Sequence, residues 1–192
     1  MPELELGWLQ EPDERTYDEV HALVAQVAAG GGAVGWLHVP ERAEVVAWLD
    51  GVLAAGARFL VARADGGLVG VGHWLRLQHA VMVQNAQIHK VMTAPQARGQ
   101  GVARRLTAGL VEDADRAGVE VLALDCRGNN HAALGLYAGL GFVVSGRRPG
   151  WIAVGDERFD QVLLHLDLRP GRPPAVPPLR HRGGQRTGTG ST

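Results

Sequence analysis

A glycine-rich turn is the part of this 192-residue sequence whose residue types and spacing point most directly to chemistry. Residues 95–104 read Pro-Gln-Ala-Arg-Gly-Gln-Gly-Val-Ala-Arg, after a predicted strand and before a predicted helix. Glycines free backbone N–H groups to face a ligand, and a helix N-terminus adds partial positive charge. The turn therefore predicts a phosphate cradle. The alternative is a turn that only lets a helix pack against a strand.

The turn departs from two common nucleotide-binding patterns. A Walker loop carries Lys-Ser/Thr after its last glycine, and the only lysine here, Lys90, precedes the turn. A dinucleotide fingerprint needs Gly or Ala at its last position, which Arg104 occupies. ATP and NAD are therefore disfavoured as ligands.

Two motifs in the correct order resemble one enzyme family. Arg98, Gly101 and Ala103 fit the pattern R/Q-x-x-G-x-G/A, and residues 130–142 fit N-x-x-A-x-x-L-Y-x-x-L-G-F throughout. Over roughly residues 4–168 the chain resembles the GNAT superfamily of acyl-CoA-dependent N-acyltransferases. The resemblance implies acetyl-CoA as co-substrate, a primary amine as acceptor and direct transfer in a ternary complex.

The resemblance also implies which residues hold the coenzyme. The backbone of one strand would face the pantetheine arm, the turn would wrap the pyrophosphate, and an asparagine would bond the pantetheine or the acyl region. These residues are Val91, Met92, Thr93, Arg98, Gly99, Gln100, Gly101, Val102, Ala103, Arg104 and Asn130. Solvated side chains for the two arginines, and a helix N-cap for Asn130, are the alternatives.

Amine acetylation needs a base and is helped by an acid. An amine with a pKa of about 10 is mostly protonated at pH 7, and a leaving thiolate accepts a proton. Tyr137 matches the family's tyrosine and is the candidate acid. Asp125 is the first candidate base, with an ion pair to Arg127 as its alternative, and His89 is the second.

The sequence defines the residues that contact the acceptor less closely than those of the coenzyme site. Trp36, in the loop between the first two predicted helices, and Gln87, where the family can carry a strand carboxylate, are the candidate acceptor contacts. Segments 87–92, 125–127 and 146–150 are similar to tabtoxin-resistance acetyltransferases, which implies a small amine or amino-acid-derived acceptor. Cys126 is predicted to be an inert buried thiol, and the eight histidines show no metal-binding spacing.

Composition sets the wider frame for this site. Hydrophobic residues make up 46% and charged residues 20%, at a net charge of −1, which favours a globular domain over a nucleic-acid-binding polycation. The sequence has no apolar run of about 20 residues, no signal-peptide pattern and one cysteine. We therefore expect a cytoplasmic protein with neither a membrane nor a nucleic-acid partner.

Hydrophobic periodicity predicts a strand, two helices, a meander of three strands, a helix, a strand, a helix and two strands. The predicted strands are 4–8, 59–62, 68–77, 84–93, 119–126, 142–145 and 158–168, and the helices are 13–30, 40–56, 102–117 and 132–140. Thr16 and Glu19 are expected to form a capping box at the first helix. This is an α/β (α+β) domain, for which the resemblance implies a mixed sheet of about seven strands, a splayed central pair and helices on both faces.

The domain is predicted to span residues 1–168, with a disordered tail over 169–192. The tail holds five arginines, many prolines and glycines, and no acidic residue. Edge strands near its start could pair two chains in a homodimer. Two other functions stay open: a protein N-terminal or lysine acetyltransferase, and a non-catalytic acyl-CoA-binding regulatory module.

Overall fold

The computed structural model describes residues 3–31, 35–36 and 38–171. The helices and strands follow the predicted order, and two 3₁₀ turns, Ala80–Met82 and Pro95–Ala97, interrupt the loops. The strands are β1 (Glu5–Leu9), β2 (Arg58–Ala64), β3 (Gly67–Arg76), β4 (Asn85–Thr93), β5 (Val121–Arg127), β6 (Val143–Val154) and β7 (Glu157–Asp167). The helices are α1 (Glu14–Ala29), α2 (Arg42–Ala54), α3 (Val102–Arg116) and α4 (His131–Ala138).

The seven strands form one mixed sheet in the order β1-β2-β3-β4-β5-β7-β6. Every neighbouring pair is antiparallel except β4 and β5. This parallel pair holds together only from Asn85 opposite Val121 to Gln87 opposite Ala123. Beyond that point the two strands separate, which confirms the predicted splayed central pair.

Helices cover both faces of the sheet, as predicted. Gly70 and Gly72 of β3 face α3, because a Cβ at these positions would lie 2.9 Å from Leu106 Cδ1 and 3.1 Å from Leu110 Cδ1. On the other face the ring of His73 lies 5.9 Å from that of Trp48 in α2. The side-chain alternation along β3 therefore separates an α3 side from an α1–α2 side.

The start of α1 corrects one prediction. Asp13, rather than Thr16 with Glu19, caps the helix: its carboxylate accepts hydrogen bonds from Thr16 N at 2.8 Å and Thr16 Oγ1 at 2.6 Å. Glu19 instead forms ion pairs with Arg15 and Arg63. An aspartate three residues earlier satisfies the free N–H groups, so the threonine falls inside the first turn.

The end of the sheet corrects a second prediction. The strand expected over 142–145 is β6, which continues to Val154 and pairs with β7 in a long hairpin. Because Pro149 and Gly150 usually interrupt strands, the sequence pattern did not predict this part of β6. A register shift between Arg148 and Ile152 accommodates the two residues. Proline is tolerated here because β6 is an edge strand with N–H groups that no neighbour uses.

From residue 172 onward the predicted tail lies outside the described residues. Within the described part of the chain, no helix is long and apolar enough to span a bilayer.

Candidate active site

A cavity of about 650 Å³ fills the opening between β4 and β5. Its walls come from both faces of the sheet: the end of α1, the last residues of β4, the glycine turn, the end of β5, and α4. The residues that line it include Val91, Met92, Thr93, Arg98, Gly99, Gly101, Val102, Ala103, Arg104, Arg127, Asn130 and Tyr137.

The glycine turn has the local geometry of an anion site. Gly99 and Gly101 have φ values of +75° and +79°, and nothing lies within 4 Å of a Cβ built on either residue. Gly101 is the N-cap of α3, and the first turn of that helix has neither a capping side chain nor an acidic residue. Its backbone N–H groups therefore point into open space at the cavity rim.

Two polar side chains of the turn line the cavity, and a third does not. Arg98 and Arg104 line the cavity, and Arg104 Nη2 also donates to the carbonyl of Gly139 at 3.3 Å. Gln100 does not line it: its amide donates to Gln96 O at 3.0 Å and faces a separate depression. Of the residues predicted for the turn, Gln100 is the one whose side chain the fold turns away.

The strand wall contains a β-bulge. Between Val71 and His73 of β3 the partner strand advances from Met92 to His89, one residue more than β3. The backbone accommodates the extra residue at Lys90, which has a φ of +48°. The bulge re-aims the following segment, so that Val91, Met92 and Thr93 line the cavity as predicted.

Tyr137 lies on the opposite wall. Its ring is 9% exposed and packs edge-on against Phe142, at 5.9 Å between ring centroids. Burial, together with Cys126 and Asp125, raises the pKa of Tyr137 to about 12. The hydroxyl makes no hydrogen bond to any residue that the structure describes. It is thus a protonated donor at neutral pH, held beside the cavity.

Asn130 lies at the cavity and also caps a helix. It lines the cavity, and it is the N-cap of α4, with Oδ1 accepting a hydrogen bond from Ala133 N at 3.2 Å. The cap fixes the start of the short helix that carries Tyr137 seven residues later.

Asp125 lies in a polar network on the α1–α2 side of the sheet. Its two carboxylate oxygens accept hydrogen bonds from Gln87 Nε2 at 3.2 Å and Gln161 Nε2 at 2.7 Å. Within the described part of the chain it forms no ion pair with Arg127, so that alternative is wrong. Neither Asp125 nor Gln87 lines the cavity directly.

His89 occupies the same face of β4 as Gln87. Its ring stacks on the buried His73 at 5.4 Å. Burial lowers the pKa of His89, with a contribution from Lys90 against the opposing effect of Asp125. The imidazole is therefore neutral at pH 7 and able to accept a proton. Burial, with His89 and Lys90, lowers the pKa of His73 to about 3.

Trp36 does not line the cavity. It packs edge-on against Trp48 at 5.4 Å, and the Lys90 ammonium lies 3.8 Å from the centre of its ring. Burial lowers the pKa of Lys90 to about 8. Trp36 therefore lies beside Lys90 of β4 and outside the cavity, and its role as an acceptor contact stays a prediction.

Two residues on β5 complete the site. Cys126 is half-buried, and burial followed by the charge of Asp125 raises the pKa of its thiol to about 11, so the thiolate is disfavoured. Arg127 lines the cavity, although the sequence suggested it only as a partner for Asp125. The described residues contain no group of three His, Cys, Asp or Glu side chains that could hold a metal.

Sequence comparison finds relatives along most of the chain. Residues 5–142 match the Acetyltransferase (GNAT) family. An uncharacterized N-acetyltransferase of Azospirillum brasilense is 36% identical over 104 residues, 53% of this chain and 61% of that protein. The chain therefore matches less than two thirds of this relative's length.

Two relatives carry more specific names. The L-methionine sulfoximine/L-methionine sulfone acetyltransferase of Pseudomonas paraeruginosa is 28% identical over 147 residues, 76% of this chain and 86% of that protein. The ribosomal protein bS18-alanine N-acetyltransferase of Escherichia coli K12 is 27% identical over 134 residues, 68% of this chain and 88% of that protein.

Solved structures share the fold. The structure of yncA from Salmonella typhimurium, with its cofactor acetyl-CoA, has a TM-score of 0.76 at 19% identity, covering 91% of this chain and 99% of that one. A GNAT superfamily phosphinothricin acetyltransferase from Sinorhizobium meliloti, in complex with AcCoA, has a TM-score of 0.72 at 17% identity, covering 85% and 88%.

Proposed function

The chain belongs to the acetyltransferase (GNAT) family, and we propose that it moves an acetyl group from acetyl-CoA to the primary amine of a small molecule. It is an acetyl-CoA-dependent N-acetyltransferase. The observation that carries the proposal is the cavity between the splayed strands, with an uncapped helix N-terminus at one rim and the unbonded hydroxyl of Tyr137 at the other.

The residues of the turn fit the phosphates of a coenzyme. Two positive-φ glycines leave open space above the backbone, and the first-turn N–H groups of α3 have no acidic neighbour to satisfy them. Arg98 and Arg104 add guanidinium groups at the same rim. Val91, Met92 and Thr93 offer the backbone of β4 along the cavity, with Asn130 facing them.

The residues of the site supply one proton donor and one proton acceptor. Acetyl-CoA provides an activated thioester, so a C–N bond forms as the C–S bond breaks. Tyr137 holds its proton at neutral pH and would give it to the departing sulfur. Asp125, fixed by two glutamine amides, would take the proton of the attacking amine, with His89 as the second candidate.

Two observations support a small acceptor. The named relative with the larger coverage of this chain is the methionine sulfoximine/methionine sulfone acetyltransferase. Asp125 and His89 are half-buried, and His89 stacks on His73, whose ring lies 5.9 Å from that of Trp48. A folded protein would reach such side chains less easily than a small molecule. We also propose that the protein is cytoplasmic.

The bS18-alanine acetyltransferase relative favours a second candidate, acetylation of a protein N-terminus. A silent acyl-CoA-binding module is disfavoured, because a module without catalysis has no chemical need for Tyr137 and Asp125 together. Both alternatives share the coenzyme site; the first differs from the main proposal in its acceptor, and the second in carrying out no acetyl transfer.

A titration and an acceptor screen test the proposal. Calorimetric titration with acetyl-CoA, ATP and NAD should show micromolar binding of acetyl-CoA alone. Release of CoA thiol is then measured with free amino acids, polyamines and peptides bearing an N-terminal alanine or a lysine. Turnover of free amino acids or polyamines supports the proposal. Turnover of peptides alone would replace it with the protein-acetylating alternative.

A further inference from the structure

Arg127 is a cavity-lining cation with no anion beside it in the described residues. Its guanidinium carbon lies 4.7 Å from the centre of the Phe159 ring. Its Nε–H is buried and donates no hydrogen bond there. A buried polar group without a partner costs free energy, so a planar cation held in this way is suited to a ligand that completes its hydrogen bonds.

Several other arginines of the sheet already have side-chain partners. Arg58 donates twice to Asp113, Arg147 pairs with Asp160, and Arg148 donates to Gln161. The guanidinium carbon of Arg127 instead lies over the Phe159 ring, a contact that uses none of its N–H groups. A guanidinium with free, oriented N–H groups binds a carboxylate or phosphate through two parallel hydrogen bonds.

Arg127 lines the same cavity as the glycine turn, and its place on β5 also relates it to the candidate base. Arg127 and Asp125 are two residues apart on β5 and thus share one face, with Gln161 opposite Arg127 in the register and bonded to Asp125. The turn lies on the other side of the opening, after β4, and carries Arg98 and Arg104 as its own cations.

The spacing along β5 indicates the class of ligand. Two residues on a strand span about 6.6 Å. A ligand with an amine at Asp125 and an anion at Arg127 must therefore carry both groups close together. An α-amino acid meets this requirement, because one carbon bears its amine and its carboxylate.

We propose that Arg127 binds the carboxylate of the acceptor and makes the enzyme selective for amino acids over amines without an acid group. The inference rests on the proposed function and specifies its substrate. A coenzyme phosphate is the other anion that the same guanidinium could bind, and kinetics separate the two.

The experiment compares each acid with its amide. Thiol release is measured with the protein amino acids and L-methionine sulfone, and each active acceptor is compared with its carboxamide. Arg127→Gln and the charge-retaining Arg127→Lys are compared with wild type. Arg158→Gln is the control, because Arg158 is an exposed arginine at the β6–β7 turn bonded only to local carbonyls.

The expected result is selective loss for the acid. Wild type prefers the acid to the amide at least tenfold in kcat/KM. Arg127→Gln raises KM for the acid about 10- to 100-fold, the effect of losing a charged hydrogen-bonded pair, and leaves KM for the amide and for acetyl-CoA unchanged. The KM of Arg127→Lys for the acid lies between those of wild type and Arg127→Gln, and the KM values of Arg158→Gln match those of wild type.

Four results would overturn the inference. Equal loss for acid and amide in Arg127→Gln removes the carboxylate role. A raised KM for acetyl-CoA assigns Arg127 to a coenzyme phosphate. Turnover of polyamines but of no amino acid removes the inference while the proposed function stands. Binding of acetyl-CoA without turnover of any small amine removes the proposed function as well.

Discussion

The amide of Gln87, the last paired residue of β4, donates at 3.2 Å to the carboxylate of Asp125, which lies two residues beyond the last paired residue of β5. Gln161 of β7 donates to the second carboxylate oxygen at 2.7 Å. Each oxygen thus keeps a lone pair for an incoming ligand while two neutral amides fix its orientation. The two strands diverge, and this contact ties them together where the acceptor amine is expected to enter.

Replacing Asp125 should remove the base. Asp125→Asn keeps the volume of the side chain, and we expect kcat to fall at least 100-fold, within the range for loss of a general base. Thiol release under saturating acetyl-CoA measures the change. Glu120→Gln, at the exposed residue just before the same strand, is the control and should match wild type. Unchanged kcat in Asp125→Asn would remove Asp125 from the mechanism.

The pH profile separates His89 from Asp125. Burial holds the pKa of His89 below 6.5, so the ring is neutral, and competent as a base, at pH 7 and above. If His89 takes the proton, kcat/KM of wild type falls as the pH drops through this lowered value, and His89→Gln abolishes that limb of the profile. Because Asp125 is the first candidate base, we expect His89→Gln and wild type to have the same pH profile, without a limb at the pKa of His89.

Tyr137→Phe should slow acetyl transfer at least tenfold and leave the Kd of acetyl-CoA nearly unchanged. The hydroxyl makes no hydrogen bond to the described residues, so its loss costs the fold little and removes only the proton donor. Thiol release gives kcat, and calorimetry gives Kd. The chain has one other tyrosine, Tyr17, bonded to Asp50 far from the cavity, and Tyr17→Phe is the matched control. Equal kcat in Tyr137→Phe and wild type would contradict the assignment.

Gly101→Ala should weaken acetyl-CoA binding at least tenfold. The new methyl group would enter the open space at the cavity rim, and the φ of +79° adds backbone strain of about 1 kcal/mol. Gly118→Ala is a matched control, because Gly118 has a φ of +72°, equally open surroundings and no contact with the cavity. Calorimetry measures the Kd of acetyl-CoA, and thermal unfolding measures the loss of stability that the strain causes. An equal Kd in the two variants would show that the turn is only structural.

Asp113 should matter for stability rather than for activity. This buried carboxylate accepts two hydrogen bonds from Arg58 at 3.0 Å and one from Trp74 Nε1 at 3.1 Å, which ties α3 to β2 and β3. We expect Asp113→Asn to lower the free energy of unfolding by about 2 kcal/mol. Denaturant titration measures it. Asp18→Asn, at an exposed ion pair with Arg42, should change it by less than about 0.5 kcal/mol.

The pH dependence of that stability has a definite sign. Burial alone would raise the pKa of Asp113, but Arg58 and Trp74 outweigh it and hold the pKa below its ordinary value. The stabilisation is therefore present above the unfolded pKa of about 3.9 and is lost as the pH falls through the lower folded value. Asp113→Asn should lose less stability than wild type below pH 4. An identical acid profile would contradict this account.

Local patterns determined the elements, the glycine turn and the family. Side-chain periodicity depends on neighbours a few residues apart, so the four helices and most strand cores could be predicted from the sequence. The turn and the segment from Asn130 to Phe142 are continuous in the chain, which is why their types and spacing were sufficient to identify the acetyltransferase resemblance that the family match confirms.

Tertiary structure decided what depends on distant residues. The pairing of β4 with β5 places Asp125 beside Gln87 and Gln161, residues 38 and 36 positions away. The packing of Trp36 on Trp48 keeps that ring out of the cavity. The Arg127–Phe159 stack reveals an anion-binding candidate that sequence analysis treated only as an ion-pair partner. The sequence alone determined which groups could do chemistry, and only the packed sheet, by joining segments far apart in the chain, decided which of them meet.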